Sequence, residues 1–140
     1  MIVLDTNVVS EVIKPRPAET VMRWFASQPA AELFVTAITE AELLYGIAIM
    51  ASGRRREQVE RAVTTMFADR LTDRILPFDS AAAREFATIV AVRRKSGKPI
   101  DDFDAQIAAI ARSRGAGVAT RNVADFADCG IDVLDPWARP

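Results

Sequence analysis

Short uninterrupted apolar runs alternate along the chain with longer stretches of helical spacing. Met1-Ile2-Val3-Leu4 is rich in branched residues and stops at Asp5, the pattern of a strand buried on both faces. Asp5-Thr6-Asn7 offers N-cap residues, and Val8, Val9, Val12 and Ile13 share one helical face until Pro15 and Pro17 interrupt it. Pro17-Ala18-Glu19 opens a second amphipathic stretch through Val21, Met22, Trp24 and Phe25, closed near Pro29. Leu33-Phe34-Val35-Thr36 reads as a second strand, followed directly by a helix from Thr39 to about Met50. Gly53 and Arg54-Arg55-Arg56 break the pattern before a helix carrying Val59, Val63, Met66 and Phe67 on one face.

Arg74-Ile75-Leu76-Pro77 is a short third strand, and Asp79 or Ser80 caps a helix with Ala83, Phe86, Ala87 and Val90 inward, ended by Gly97 and Pro99. A helix from Asp101 or Asp102 turns Phe103, Ile107, Ile110 and Ala111 inward and stops at Gly115. Gly117 to Thr120 and Ile131 to Leu134 are the last two strands, with a short helical piece around Val123 to Phe126 between them. Connections this long do not make hairpins, so the pattern predicts an α/β domain with a mostly parallel five-stranded sheet flanked by helices. In open parallel sheets ligands bind beyond the strands' C-terminal ends, which decides the polar residues that can meet.

The 140 residues suit one domain over 1–140, large enough for an ordinary core without staples. The net charge of −1 argues against a protein that coats duplex nucleic acid. Fifteen of the 18 basic residues are Arg, consistent with phosphate recognition by forked donors and equally with a G- and C-rich genome. A lone Cys129 excludes an internal disulfide and multi-Cys zinc sites. Histidine is absent, so no imidazole base, Ser-His-Asp triad or His-ligated zinc can be built from this chain. No apolar run approaches the ~20 residues of a membrane-spanning helix, and the N-terminus does not resemble a signal peptide; a cytoplasmic location is expected.

What remains is carboxylate chemistry. Asp5 follows the first strand, Glu42 the second, Asp104 opens the helix after Pro99, and Asn122 and Asp125 follow the fourth strand. In a parallel sheet these side chains can point into one crevice, where like charges raise one another's pKa and a hard divalent cation relieves the repulsion. Each acid also has a purely local reading. Thr39-x-x-Glu42 has capping-box spacing, acids at Asp101 and Asp104 suit a helix start, Asp5 can cap the helix after it, and Asp125 suits a turn. Asp79 is assigned to capping and Arg54 to Arg56 to a solvated face.

Asp5-Thr6-Asn7 after an N-terminal strand, Glu42-Leu43 with Gly46, Asp104 followed by Ile107-Ala108-Ala109, and Thr120-Arg121-Asn122 with Asp125-Phe126 together resemble PIN-domain ribonucleases. More narrowly they are similar to VapC- and FitB-type toxins of bacterial toxin–antitoxin pairs, in motif order and spacing from Met1 to Asp135-Pro136-Trp137. The resemblance implies a Rossmann-like PIN fold and a Mg²⁺- or Mn²⁺-dependent endoribonuclease. Its acidic pocket would be carried by Asp5, Glu42 and Asp104 as metal ligands. The family's fourth acid is Asn122 here, so either Asn122 supplies a neutral oxygen or Asp125 reaches in. It further implies a homodimer and a cognate DNA-binding antitoxin, similar to VapB or FitA, that covers the pocket with a basic side chain.

Thr6, Asn7 and Thr120 are candidates to orient carboxylates or bond phosphate, against the local alternative of capping. Arg121, or Arg93, Arg94, Lys95 and Lys98, would hold RNA on the rim. Unpaired loops of RNA suit such a surface better than an A-form helix, and tRNA fits by family analogy. The rival readings are a non-catalytic α/β binding module whose acids only cap helices and a nuclease acting on DNA.

Overall fold

A computed structural model describes residues 1–139. Strands β1 (Ile2–Leu4), β2 (Leu33–Thr36), β3 (Ile75–Leu76), β4 (Gly117–Ala119) and β5 (Val133–Leu134) form one sheet in the order β3-β2-β1-β4-β5, every neighbour parallel. The expected α/β architecture is therefore present. Ile2 pairs with Leu33 on one side and Gly117 on the other, so β1 is central and fully laddered. The strands are short and apolar because both sheet faces are covered. Val3, Val35 and Val118 have no exposed surface.

Six helices cover the sheet: α1 (Thr6–Val12), α2 (Glu19–Ser27), α3 (Ala37–Ala48), α4 (Arg54–Thr65), α5 (Ser80–Lys95) and α6 (Asp102–Ser113). One core gathers Val3, Ile89, Ile107, Ile110, Val118 and Phe126 under α5 and α6; the other gathers Leu4, Val8, Val9, Phe25, Val35, Leu43, Val63 and Leu71 under α1 to α4. Val8, Val9 and Phe25 are thus core residues, and Trp24 packs against the same cluster. The buried face of α6 includes Ala105, Ala108, Ala109 and Ala111, small enough to let α5 lie close.

Four local expectations are corrected. Helix α3 starts at Ala37, two residues early, because Thr36 at the end of β2 is its N-cap, its Oγ1 accepting from Thr39 N at 3.1 Å. Arg54 to Arg56 do not break a helix but form the first turn of α4, which ends in a π-helical turn, Met66–Arg70. In α5 the inward residues are Ala82, Phe86, Ile89 and Arg93, while Ala83 and Ala87 are exposed. The phase is set by Asp79, whose Oδ1 accepts from Ala82 N at 3.0 Å. Phe103, expected inward on α6, is 52% exposed.

Arg93 was expected on an RNA-binding rim and is instead buried. Its Nε donates to Lys98 O at 2.7 Å, and one terminal nitrogen donates to Asp125 O and Ala127 O, both at 2.8 Å. The guanidinium thus ties the turn before α6 to the loop after β4. Helix α5 ends just there on Gly97, at φ 75, with Lys98 N bonded to Arg93 O and Gly97 N to Arg94 O. Arg93→Met leaves three backbone carbonyls without this donor, so a loss of about 3 kcal/mol in denaturant unfolding is expected, with faster amide exchange confined to residues 98–101 and 125–129.

Candidate functional site

The strand order reverses direction around β1, and beyond its C-terminal end Asp5 N donates to Ala119 O at 2.9 Å. This is the topological switch point of the sheet. A cleft of ≈ 420 Å³ opens there, lined by Asp5, Thr6, Asn7, Ser10, Glu11, Lys14, Glu42, Asp104, Arg121, Asn122 and Trp137. A larger concavity of ≈ 870 Å³ by α2 collects no comparable set of acids.

Asp5 is 5% exposed. Its Oδ1 accepts from Thr6 N at 2.8 Å, so the capping expectation holds, and its Oδ2 accepts from Thr120 Oγ1 at 2.7 Å. Thr120 is fully buried and its hydroxyl is fully used, since it also accepts from Asn122 N at 3.0 Å and Asn7 Nδ2 at 3.3 Å. Asn7 Oδ1 in turn accepts from Arg121 N at 3.3 Å. Asn7 and Thr120 therefore stitch the end of β1 to the end of β4 across more than a hundred residues of chain.

Glu42 lies in the second turn of α3, half-buried, and does not form the capping box that its spacing allowed. Thr36 holds the cap, and Glu42 Oε1 accepts from Thr6 Oγ1 at 2.9 Å. Asp104 lies in the first turn of α6, whose N-cap is Asp101, with Oδ2 accepting from Phe103 N at 3.1 Å. Asn122 lines the cleft; Asp125 is exposed and outside the lining, although its charge is felt at both Asp5 and Asp104.

The charges decide what this arrangement does. Burial raises the pKa of Asp5 more than its bonds from Thr120 and Thr6 lower it. Burial likewise raises Glu42 against the bond from Thr6, with the charges of Asp5 and Asp101 adding to the rise. Asp104 is pushed furthest, to about 7, first by desolvation and then by Asp5, Asp101, Asp125 and Glu42 in turn. Among the described residues no hydrogen bond opposes its rise. Three hard oxygen donors that resist sharing one pocket as anions match the chemistry of a divalent cation site with few protein ligands. Among the described residues no three carboxylates are gathered closely enough to grip an ion on their own, so a cation in this cleft would take water for most of its ligands.

Sequence reasoning missed Ser10, Glu11, Lys14 and Trp137 in the lining. The first three had a signal: Asn7, Ser10, Glu11 and Lys14 fall at i, i+3, i+4 and i+7, a polar stripe opposite Val8, Val9 and Val12. Glu11 accepts from Lys14 Nζ and Ala18 N, each at 3.0 Å, which holds its carboxyl below the usual range. Trp137 had no local signal, since only the closing of β5 beside β4 brings it to Arg121, 5.2 Å from its ring. Arg94, Lys95 and Lys98 are exposed and do not line the cleft.

The family model described as PIN domain matches residues 2–130. The chain is 42% identical over 137 residues to VapC ribonuclease Y4jK of Sinorhizobium fredii, covering 98% of each protein. It is 38% identical over 141 residues to Toxin FitB of Neisseria gonorrhoeae, covering 98% of this chain and 99% of that one. A chain from the solved structure of FitAB bound to an IR36 DNA fragment superposes with a TM-score of 0.93 at 34% identity, over 100% of this chain and 98% of that one.

The raised carboxyl of Asp104 has a consequence for stability. Its folded-state value lies above the ordinary 3.8, so the native state holds this proton more tightly than the unfolded chain and loses stability as pH rises from about 4 to about 7. In metal-free buffer Asp104→Asn is expected to be more stable than the parent by ~1–2 kcal/mol above pH 7, discounted for partial solvation, and to gain nothing below pH 4. Thermal or denaturant unfolding across that range checks the sign.

Proposed function

This chain belongs to the PIN-domain family, and from that premise we propose that it hydrolyses RNA phosphodiester bonds with a Mg²⁺ or Mn²⁺ ion held by Asp5, Glu42 and Asp104. It is a VapC-type endoribonuclease, the toxin half of a toxin–antitoxin pair. The observation that supports the site assignment is the convergence of these three carboxylates from β1, α3 and α6 on the switch-point cleft, each with a raised pKa. If the acids served only as helix caps, Glu42 and Asp104 would bond helix starts. They do not: Thr36 and Asp101 are the caps of α3 and α6.

A divalent cation bound there supplies a water of lowered pKa and positive charge beside a phosphate oxygen. The chain's own groups prepare for it. Thr6 N–H and Thr120 hydroxyl fix both oxygens of Asp5 while leaving each a free lone pair, and the Thr6 hydroxyl fixes Glu42 from the other side. Asp104, without such a bond, is the carboxyl whose charge responds most to what enters the cleft. Asn122 adds a neutral polar group where a fourth acid would otherwise stand, its backbone N–H anchored on Thr120. In-line attack on phosphorus with the 3′ oxygen leaving yields 5′-phosphate and 3′-hydroxyl ends, a course that needs no imidazole.

The partners we propose are a DNA-binding antitoxin, supported by the likeness to a chain of the FitAB complex with DNA, and a second copy of this chain. No helix of the described residues is long and apolar enough to cross a membrane, and we place the protein in the cytoplasm on its family's account.

Cleavage of a mixed small-RNA pool including tRNA, by antitoxin-free protein, tests the reading. Products with 5′-phosphate ends are expected in Mg²⁺ or Mn²⁺ and none in EDTA. Asp5→Asn, Glu42→Gln and Asp104→Asn are expected to lower the rate by at least ~100-fold, and Thr120→Val, which unties Asp5, by about tenfold. RNA left intact by folded parent protein in every lane, or cut equally by the three variants, would overturn it.

A further inference from the structure

We propose that Trp137 and Arg121 form the surface that grips single-stranded RNA beside the acidic site, the indole stacking an unpaired base and the guanidinium taking a neighbouring phosphate. The inference rests on the ribonuclease reading above and adds residues that hold the substrate rather than cut it.

Trp137 is the one aromatic residue among those lining the cleft with Asp5, Glu42 and Asp104. It is partly exposed and partly packed on the core cluster that contains Leu4 and Ala119, so the ring is both presented and braced. The turn that carries it is fixed as well: Trp137 N donates to Asp135 Oδ1 at 2.9 Å and Ala138 N to Asp135 O at 3.1 Å. The Arg121 guanidinium lies over that ring, 5.2 Å from its centroid, so a base that stacks on this face displaces it toward the neighbouring phosphate, while its backbone N–H stays bound to Asn7 Oδ1. Two flat groups suited to base stacking thus stand together, each anchored through its backbone.

The charge balance of the cleft explains the need for them. A polyanion entering a pocket of carboxylates gains little from the pocket itself. Of the two cations in the lining, Lys14 is paired with Glu11, whereas Arg121 makes no ion pair among the described residues. Stacking supplies affinity that does not depend on charge, and only a base outside a duplex offers its face. The pair therefore selects unpaired RNA at the point of cleavage.

The chain has two tryptophans, and Trp24 lies away from the cleft on α2. A Trp24→Phe, Asp104→Asn protein isolates the emission of Trp137 and does not consume substrate. In Mg²⁺, a short mixed-sequence single-stranded RNA is expected to quench that emission saturably, and the same strand annealed to its complement to quench it far less. With cleavage-competent protein, Trp137→Ala is expected to raise KM about tenfold with kcat within about threefold, and Trp137→Phe to restore most of the loss. Arg121→Gln, which deletes no core contact, is expected to raise KM and weaken its dependence on salt. Emission unchanged by RNA, with KM unchanged in Arg121→Gln and in folded Trp137→Ala, would overturn the proposal while parent cleavage leaves the ribonuclease reading standing. Parent protein that cuts no RNA would fail that reading first, and this one with it.

Discussion

The bond from Thr120 Oγ1 to Asp5 Oδ2 is the contact on which the site depends. It joins the ends of two adjacent parallel strands at the place where the sheet's winding changes direction, and it lies wholly out of solvent at the Thr120 end. One hydroxyl donates to the buried acid and accepts from Asn7 and Asn122, so the acid, the start of α1 and the loop after β4 share a single hub. A serine would keep the hydroxyl but lose the branched methyl that restricts its rotamer, and a valine would keep the shape but leave Asp5 without a donor.

Around that hub the fold holds like charges together at a cost. Asp5, Glu42 and Asp104 are desolvated or crowded enough that each carboxyl prefers its proton more than it would in water. A fold selected for stability alone would not place them so, and strain of this kind marks a site kept for its chemistry. Arg93 meets the mechanical side of the problem. Its buried guanidinium clamps the backbone on either flank, the turn leading to Asp101 and Asp104 and the loop holding Asp125, and among the described residues it forms no ion pair that would neutralise an acid. The acids are thus held near one another by backbone bonds and kept repulsive by charge.

Much of this is legible in the sequence, for physical reasons. Strands covered on both faces are continuous apolar runs, so Ile2–Leu4, Leu33–Thr36 and Gly117–Ala119 stand out, and the parallel order puts Asp5, Glu42, Asp104 and Asn122 at one end. Helix phase is harder where alanine dominates. In Ser80–Lys95 the alanines at 82, 83 and 87 carry little hydrophobic contrast, and the true face was set by the Asp79 cap and by an arginine that turns inward because three carbonyls await it. The Thr39-x-x-Glu42 spacing is ambiguous on its own; only the packing of α1 against α3 brings Thr6 to Glu42 and leaves the cap to Thr36. Trp137 is reached only through tertiary closure, which no local pattern records.

We propose that three carboxylates from three parts of the chain act as one divalent cation site. Carboxyl-carbon NMR of ¹³C-labelled protein near pH 7, followed as Mg²⁺ is added, tests it most directly. The expected result is a saturating, simultaneous shift of Asp5, Glu42 and Asp104, with Asp104 passing from partly protonated to fully ionised. An Asp104 resonance that keeps its titration near 7 in saturating Mg²⁺, with Asp5 and Glu42 unmoved, would contradict the claim.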